Sequence, residues 1–183
     1  MKKYFLFDTL REFFIISIGQ SGMCPEVCRD VTGMGEFMRE YVRTVNYYET
    51  DQMGIVHHSN YIRYFEEARL FWMKEIGICY HELEEMGIII PVTFVDCRYA
   101  SPLHYGDLVR IVVRMAKFDG IKMEFEYQVI DSQTGQIHTT GRSGHCFLDS
   151  KMKPILIKKK QPEVYQRVVE ALQEDGGIGR KGM

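Results

Sequence analysis

Residues Asp51–Arg69 read DQMGIVHHSNYIRYFEEAR, and the two halves of this stretch differ in physical character. The first half is irregular. Asp51, Gly54, Ser59 and Asn60 are turn and cap residues: Asp and Asn bond their own backbone, and Gly accepts a positive φ. The second half is a helix, with Ser59 or Asn60 suited to its N-cap. Apolar residues fall at Tyr61, Tyr64, Phe65, Ala68, Phe71, Trp72 and Ile76, the i, i+3, i+4, i+7 spacing of one helix face. Ile62, Leu70 and Met73 lie elsewhere on the wheel, so the helix is apolar nearly all round, as a buried helix is. Arg63, Glu67 and Lys74 make a narrow polar stripe, and Glu66 and Arg69 fall off it. Glu66 then has two readings: an ion pair with Arg69 or Arg63, or a polar group facing a site or a subunit interface.

Working outward, Glu40–Tyr48 reads as a strand, with Val42, Thr44 and Tyr48 among its β-formers. Beyond the helix, Gly77 suits a C-cap, and His81–Met86 is a short helical turn ended by Gly87. The period then becomes extended. Ile88–Tyr99 is β-rich, Ala100–Asp107 is a loop, and Leu108–Phe118 is a long strand. Asp119-Gly120 signals a tight hairpin. In the return strand Met123, Phe125, Tyr127 and Val129 alternate with Lys122, Glu124, Glu126 and Gln128, one face buried and one wet. Thr134-Gly135 turns again, and Ile137–Leu148 follows, where Gly141 and Gly144 imply a bulge or the close approach of another group. Pro162–Gln173 is a C-terminal helix. The order is a strand, a buried helix and a meander of long strands. It is the pattern of an α+β fold in which a twisted antiparallel sheet wraps one apolar helix.

The domain is expected over residues 38–175. Residues 1–37 differ in character: Met1-Lys2-Lys3 and the apolar run after it resemble a signal peptide, but Asp8, Arg11 and Glu12 interrupt the run. Leu10, Phe13 and Phe14 fit a short amphipathic helix, and Met34 or Met38 would be natural alternative starts. This segment is read as a loosely ordered extension or the product of an upstream start. Residues 176–183 read as a flexible tail. With 183 residues and a net charge of −2, the chain is long enough for one core and lacks the basic excess of a nucleic-acid binder. No run is long enough to span a membrane. The five cysteines, Cys24, Cys28, Cys79, Cys97 and Cys146, are scattered and odd in number. They fit reduced thiols in a cytoplasmic protein rather than a disulfide framework or a zinc site. His57 and His58 are not a metal site by themselves, since adjacent side chains are expected to diverge.

Asp51, Gly54, Val56, His58 and Tyr61 read D-x-x-G-x-V-x-H-x-x-Y, a pattern that continues through Phe65, Glu66 and Arg69. It resembles the signature of the 4-hydroxybenzoyl-CoA thioesterase family, including its YbgC-like acyl-CoA thioesterases. The resemblance covers roughly residues 38–170, and Tyr99–Asp107 (Y-x-x-P-x-x-Y-G-D) and Gly141–Leu148 also fit it. It implies the hotdog fold, about five long strands around one central helix. It also implies homodimers that commonly pair into tetramers, an acyl-CoA substrate, and no cofactor, CoA being part of the substrate.

Thioester hydrolysis needs an activated water or a nucleophile, a stabilised oxyanion, and a grip on both parts of the substrate. Asp51 offers a carboxylate that can act as general base or attack directly, although an Asp in a loop most often forms a turn. The free N–H groups of a helix N-terminus suit an oxyanion, and the resemblance gives the key amide to His58. Its side chain would orient Asp51 or the water, or serve the helix start. Gly54 and Val56 shape the loop, with Gly54 leaving room for the substrate. Tyr61 either closes the acyl pocket or packs in the core. Glu66 takes a secondary role by resemblance. For the CoA phosphates, Lys158, Lys159, Lys160, Arg98, Arg110 and Arg114 are candidates, although such charges are commonly solvated faces. Two rival functions use the same fold: an acyl-CoA or acyl-carrier-protein hydratase or dehydratase, and a non-catalytic acyl-CoA-binding regulator. The Asp51 motif favours hydrolysis.

Overall fold

The computed structural model describes residues 39–176 and, for Ile178–Gly179, the backbone alone. The expectations for residues 1–37 lie outside the described residues. The first strand, β1, is Arg39–Thr44. It stops short of Tyr48 because the Asn46 N–H donates to Glu49 Oε2 at 2.7 Å, closing a 3₁₀ turn over Tyr47–Glu49. Its inward side is Arg39, Tyr41 and Arg43, while Val42 is exposed.

Helix α1 is Ser59–Glu75 and the short α2 is Tyr80–Glu85. Strands β2 (Ile88–Ile89) and β3 (Val92–Tyr99) follow, and then the long meander of β4 (Leu108–Phe118), β5 (Lys122–Asp131) and β6 (Ile137–Cys146). β7 (Leu148–Asp149) pairs with β2. The main sheet runs β1-β4-β5-β6-β3, each pair antiparallel. The backbone of Ile178–Gly179, β8, adds a short parallel pairing beside Lys117 and Phe118 of β4. Asp119 closes the β4–β5 hairpin by accepting from the N–H groups of Ile121 and Lys122, with Gly120 at φ +90°.

The alternation read in β5 sorts its faces as expected, with Met123, Phe125, Tyr127 and Val129 buried. One row across the inner face joins Arg39, Val113, Tyr127, Gly141 and Cys97. The close approach expected at Gly141 is the seat of α1. Phe65 stacks on Tyr127 with ring centroids 4.5 Å apart and planes 12° apart, and its edge fills the space over Gly141. At Gly144 the ring of Phe94 from β3 lies across the glycine.

The C-terminal helices are α3 (Ile157–Lys160) and α4 (Pro162–Glu174). α4 buries Val168, Ala171 and Leu172 beside the C-terminal end of α1. Asp175, just after it, is buried and accepts from Trp72 Nε1 at 2.8 Å, from the Met115 N–H at 2.7 Å and from Arg39 at 2.6 Å. Burial raises the Asp175 pKa above its ordinary value, against the pull of these donors. The opposite face of the sheet carries cross-strand ion pairs, Arg114–Glu126 at 2.6 Å, Lys117–Glu124 at 2.8 Å and Arg142–Asp96 at 3.2 Å, which suit a face turned to water.

α1 is not buried all round. Ile62 and Leu70 are 42% and 36% exposed, with exposed Glu66 between them on the same flank. The sheet covers only one side of the helix, so among the described residues this apolar flank stays open.

Candidate active site

Turn chemistry shapes the Asp51 loop. The Asp51 N–H donates to the Ile55 carbonyl at 2.9 Å, and the Gly54 N–H donates to the Asp51 carbonyl at 2.9 Å. Asp51 Oδ1 accepts from the Met53 N–H at 2.8 Å, so the turn role expected of a loop Asp is real. Asp51 Oδ2 carries no hydrogen bond among the described residues. Gly54 has φ +76°, and no heavy atom of the described chain lies within 4 Å of where a Cβ would sit. Within the chain, then, the glycine supplies a left-handed backbone rather than clearance. Val56 is buried, and its N–H donates to the Leu103 carbonyl at 2.8 Å. Ile55 bridges to His104. These contacts fasten the Asp51 loop to the Ala100–Asp107 loop.

The N-cap position of α1 falls on His58, whose side chain makes no capping bond, and not on Ser59 or Asn60. His57 explains the shift. Its carbonyl accepts from the Asn60 N–H at 2.9 Å, and its ring Nδ1 meets Ser59 Oγ at 2.8 Å. Ser59 and Asn60 are thereby drawn into the first turn. The His57 and His58 rings do not diverge: their centroids are 4.1 Å apart, because His58 is already helical at φ −51° and ψ −31°. The His58 carbonyl accepts from Tyr99 Oη at 3.1 Å. No acceptor among the described residues engages the His58 N–H, and no hydrogen bond joins the His58 ring to Asp51. The helix N-terminus thus keeps a free donor close in sequence to a carboxylate with a free oxygen.

Tyr61 packs in the core, 3% exposed, with its ring edge-on to Tyr99 at 5.2 Å. Burial pushes its hydroxyl pKa up, partly offset by a bond with the Leu103 backbone. Glu66 makes no ion pair among the described residues. Arg69 is buried and points its guanidinium at Met73 Sδ, 3.9 Å away, and Glu67 is the residue that pairs, with Arg43 at 2.6 Å.

Sequence reasoning missed a cluster behind the loop. Glu49 is 4% exposed and pairs with Arg43. The Arg43 guanidinium sits 4.0 Å over the Tyr64 ring. Asn60 Nδ2 donates to the Glu49 carbonyl at 2.7 Å. The available signal was Asn46-x-x-Glu49, a capping-box spacing. A second buried row joins Tyr127 Oη, Ser143 Oγ and His145 Nε2 at 2.7 Å each, and burial lowers the His145 pKa to about 3.

The basic candidates are spread out. Lys158, Lys159 and Lys160 are exposed on α3. Arg110 pairs with Glu40 and Arg114 with Glu126. Arg98 and Arg114 line a groove of about 620 Å³ on the water-facing side of the sheet, with Asp96, Glu126, Gln128 and Arg142. That groove includes no residue of the Asp51–Arg69 stretch. Among the described residues no cluster of three or more metal-binding side chains occurs.

Residues 45–172 match the model of the thioesterase-like superfamily. YneP of Bacillus subtilis, which carries a provisional description as an acyl-CoA thioesterase, is 33% identical over 120 residues, covering 65% of this chain and 86% of that protein. The acyl-CoA thioester hydrolase YbgC of Escherichia coli is 22% identical over 115 residues, covering 63% and 86%. The crystal structure of a DHNA-CoA thioesterase from Staphylococcus aureus superposes with a TM-score of 0.72 at 28% identity, over 77% of this chain and 96% of that one. With its antiparallel sheet, its seated helix and its Asp-loop motif, the chain belongs to the thioesterase-like superfamily, among the YbgC-like acyl-CoA thioesterases of hotdog fold.

Proposed function

We propose that this thioester hydrolase cleaves an acyl-CoA to the free acid and CoA, using Asp51 and the N-terminal amides of α1. The observation that carries the reading is the pair of uncommitted groups at the loop–helix junction, Asp51 Oδ2 and the His58 N–H. With Asp51 as base, the carboxylate takes a proton from water as the water oxygen bonds to the thioester carbon. The carbonyl oxygen becomes an oxyanion and accepts from the His58 N–H at the positive end of the helix. Collapse breaks the C–S bond, and the CoA thiolate leaves and takes the proton that Asp51 removed from water, which restores the carboxylate. With Asp51 as nucleophile, its carboxylate oxygen bonds to the thioester carbon, the C–S bond breaks as CoA leaves as the thiolate, and water then hydrolyses the resulting anhydride to the free acid and the Asp51 carboxylate. Both routes place the same two groups at the carbonyl.

Gly54 and Val56 hold the loop in shape, His58 supplies its amide, and Tyr61 forms part of the wall behind it. Glu66 has a secondary role on the open flank of α1. The reaction needs no cofactor. The chain acts as a homodimer, and dimers pair. The support is the open flank of α1 together with the edge of β3, unpaired among the described residues, which exposes Val92, Phe94 and Val95. Lys158–Lys160 or the strand arginines meet the CoA phosphates. A cytoplasmic setting fits the free thiols of Cys79, Cys97 and Cys146 and the absence, among the described residues, of a helix able to cross a membrane.

Free-thiol release from short-chain, long-chain and aromatic acyl-CoAs tests the reading. Release with at least one of them supports it. Binding without release points to the regulator, and water addition or loss at the acyl chain without thiol release points to the hydratase or dehydratase.

A further inference from the structure

Asn60 sits in the first turn of α1 and is 6% exposed. Burying a primary amide is unfavourable unless its polar atoms are bonded. Its Nδ2 donates at 2.7 Å to the carbonyl of Glu49, 11 residues earlier. The same carbonyl accepts from the His57 N–H at 2.9 Å. One oxygen therefore gathers both ends of the loop that carries Asp51.

Glu49 is itself fixed. Its side chain pairs with Arg43 and accepts from the Asn46 N–H, and Arg43 reaches α1 through the Tyr64 ring and Glu67. The segment before Asp51 is anchored to β1 and α1, and the segment after it is anchored to the same point through Asn60. We infer that Asn60 is a positioning residue that sets the separation between the Asp51 carboxylate and the His58 amide through the Glu49 carbonyl. This inference rests on the proposed roles of Asp51 and His58. Asn60 is buried and acts through the Glu49 carbonyl. Without its donor, Glu49 keeps the His57 N–H, so the loop stays closed on one bond instead of two and its depth relative to the helix end is no longer fixed.

The test uses the full chain with the acyl-CoA that the wild type cleaves best. kcat, KM and Tm are measured for wild type, Asp51→Asn, Asn60→Ala, Asn60→Asp and Asn60→Ser. Misplacing a reacting group by about 1 Å costs roughly a hundredfold in rate. Asn60→Ala is expected to lose about tenfold to a hundredfold in kcat with KM within about threefold and Tm close to wild type. Asn60→Asp, which sets one acceptor against another, should lose at least as much. Asn60→Ser, which keeps a shorter donor, should recover part of the loss. Two results overturn the inference alone: wild-type kcat in Asn60→Ala while Asp51→Asn is inactive, or a loss of kcat in the Asn60 variants that only tracks their loss of folded protein. Equal activity of wild type and Asp51→Asn overturns the Asp51 reading and this inference with it.

Discussion

Phe65 occupies the space that a side chain at Gly141 would need. A Cβ there would lie 2.5 Å from Phe65 Cζ and 2.8 Å from the Asp96 carbonyl oxygen. The missing side chain on β6 and the ring on α1 form one fitted joint, closed by the stack of Phe65 on Tyr127. It sets how deeply α1 sits in the sheet, and hence where its N-terminus meets the Asp51 loop.

Gly141→Ala should therefore destabilise the fold by about 1–3 kcal/mol, the usual penalty for overpacking. Urea unfolding reads this as a lower midpoint. Adding Phe65→Leu to Gly141→Ala should recover part of the loss, since the smaller side chain opens the joint. A midpoint unchanged in Gly141→Ala would mean that the helix is not seated on this glycine.

His145 makes stability depend on acid. Its pKa is lowered to about 3 by burial and the nearby Arg69 charge, against an ordinary value of 6.5. The folded state holds His145 neutral where the unfolded state would protonate it. Its contribution is thus fully present above pH 6.5 and is lost as pH falls toward about 3. In this window wild type should lose roughly 1.4 kcal/mol per pH unit more than His145→Gln, which cannot take up the proton. Urea midpoints at several pH values check it, and parallel curves for the two proteins would contradict it.

The free edge of β3 and the open flank of α1 concern assembly. Val92 and Val95 are 57% and 40% exposed on a strand that, among the described residues, is paired on one side only. Sedimentation should give a dimer or a dimer of dimers for wild type. Val92→Lys with Val95→Lys, which places charge on the edge, should weaken self-association at least about tenfold. A wild type that sediments as a monomer at micromolar concentration would contradict it.

The parts of the fold that follow a period are the parts that were legible. The spacing of Tyr61, Tyr64, Phe65, Ala68, Phe71, Trp72 and Ile76 marks the covered face of α1: five of the seven are buried, and Phe71 and Ile76, toward its C-terminal end, are half-buried. The alternation from Lys122 to Val129 sorts the faces of β5, and Asp119-Gly120 marks its hairpin. What escaped depends on contacts far apart in sequence. The helix cap moved to His58 because the His57 ring and carbonyl bind the next residues, which no propensity encodes. Arg43 falls where a strand pattern expects a side chain of either kind, and only the folded chain sets it over Tyr64 and against Glu49. Asn60 reads as a cap in sequence and proves to be a buried donor to Glu49. The open flank at Ile62 and Leu70 looked buried because a wheel shows apolarity but not which neighbour covers it. For the candidate site, the motif singles out Asp51 and the helix start, while the free state, among the described residues, of Asp51 Oδ2 and of the His58 N–H is a property of the folded loop.

The most direct test of the proposed function is thiol release from a panel of acyl-CoAs by wild type beside Asp51→Asn. Loss of one hydrogen-bond donor to an oxyanion typically costs about 10²- to 10³-fold, and removal of the base or nucleophile should cost at least as much. Hydrolysis by wild type that falls at least about a hundredfold in Asp51→Asn, with Tm unchanged, is the expected result. Equal rates in the two proteins, or no release from any acyl-CoA by a folded wild type, would contradict the account.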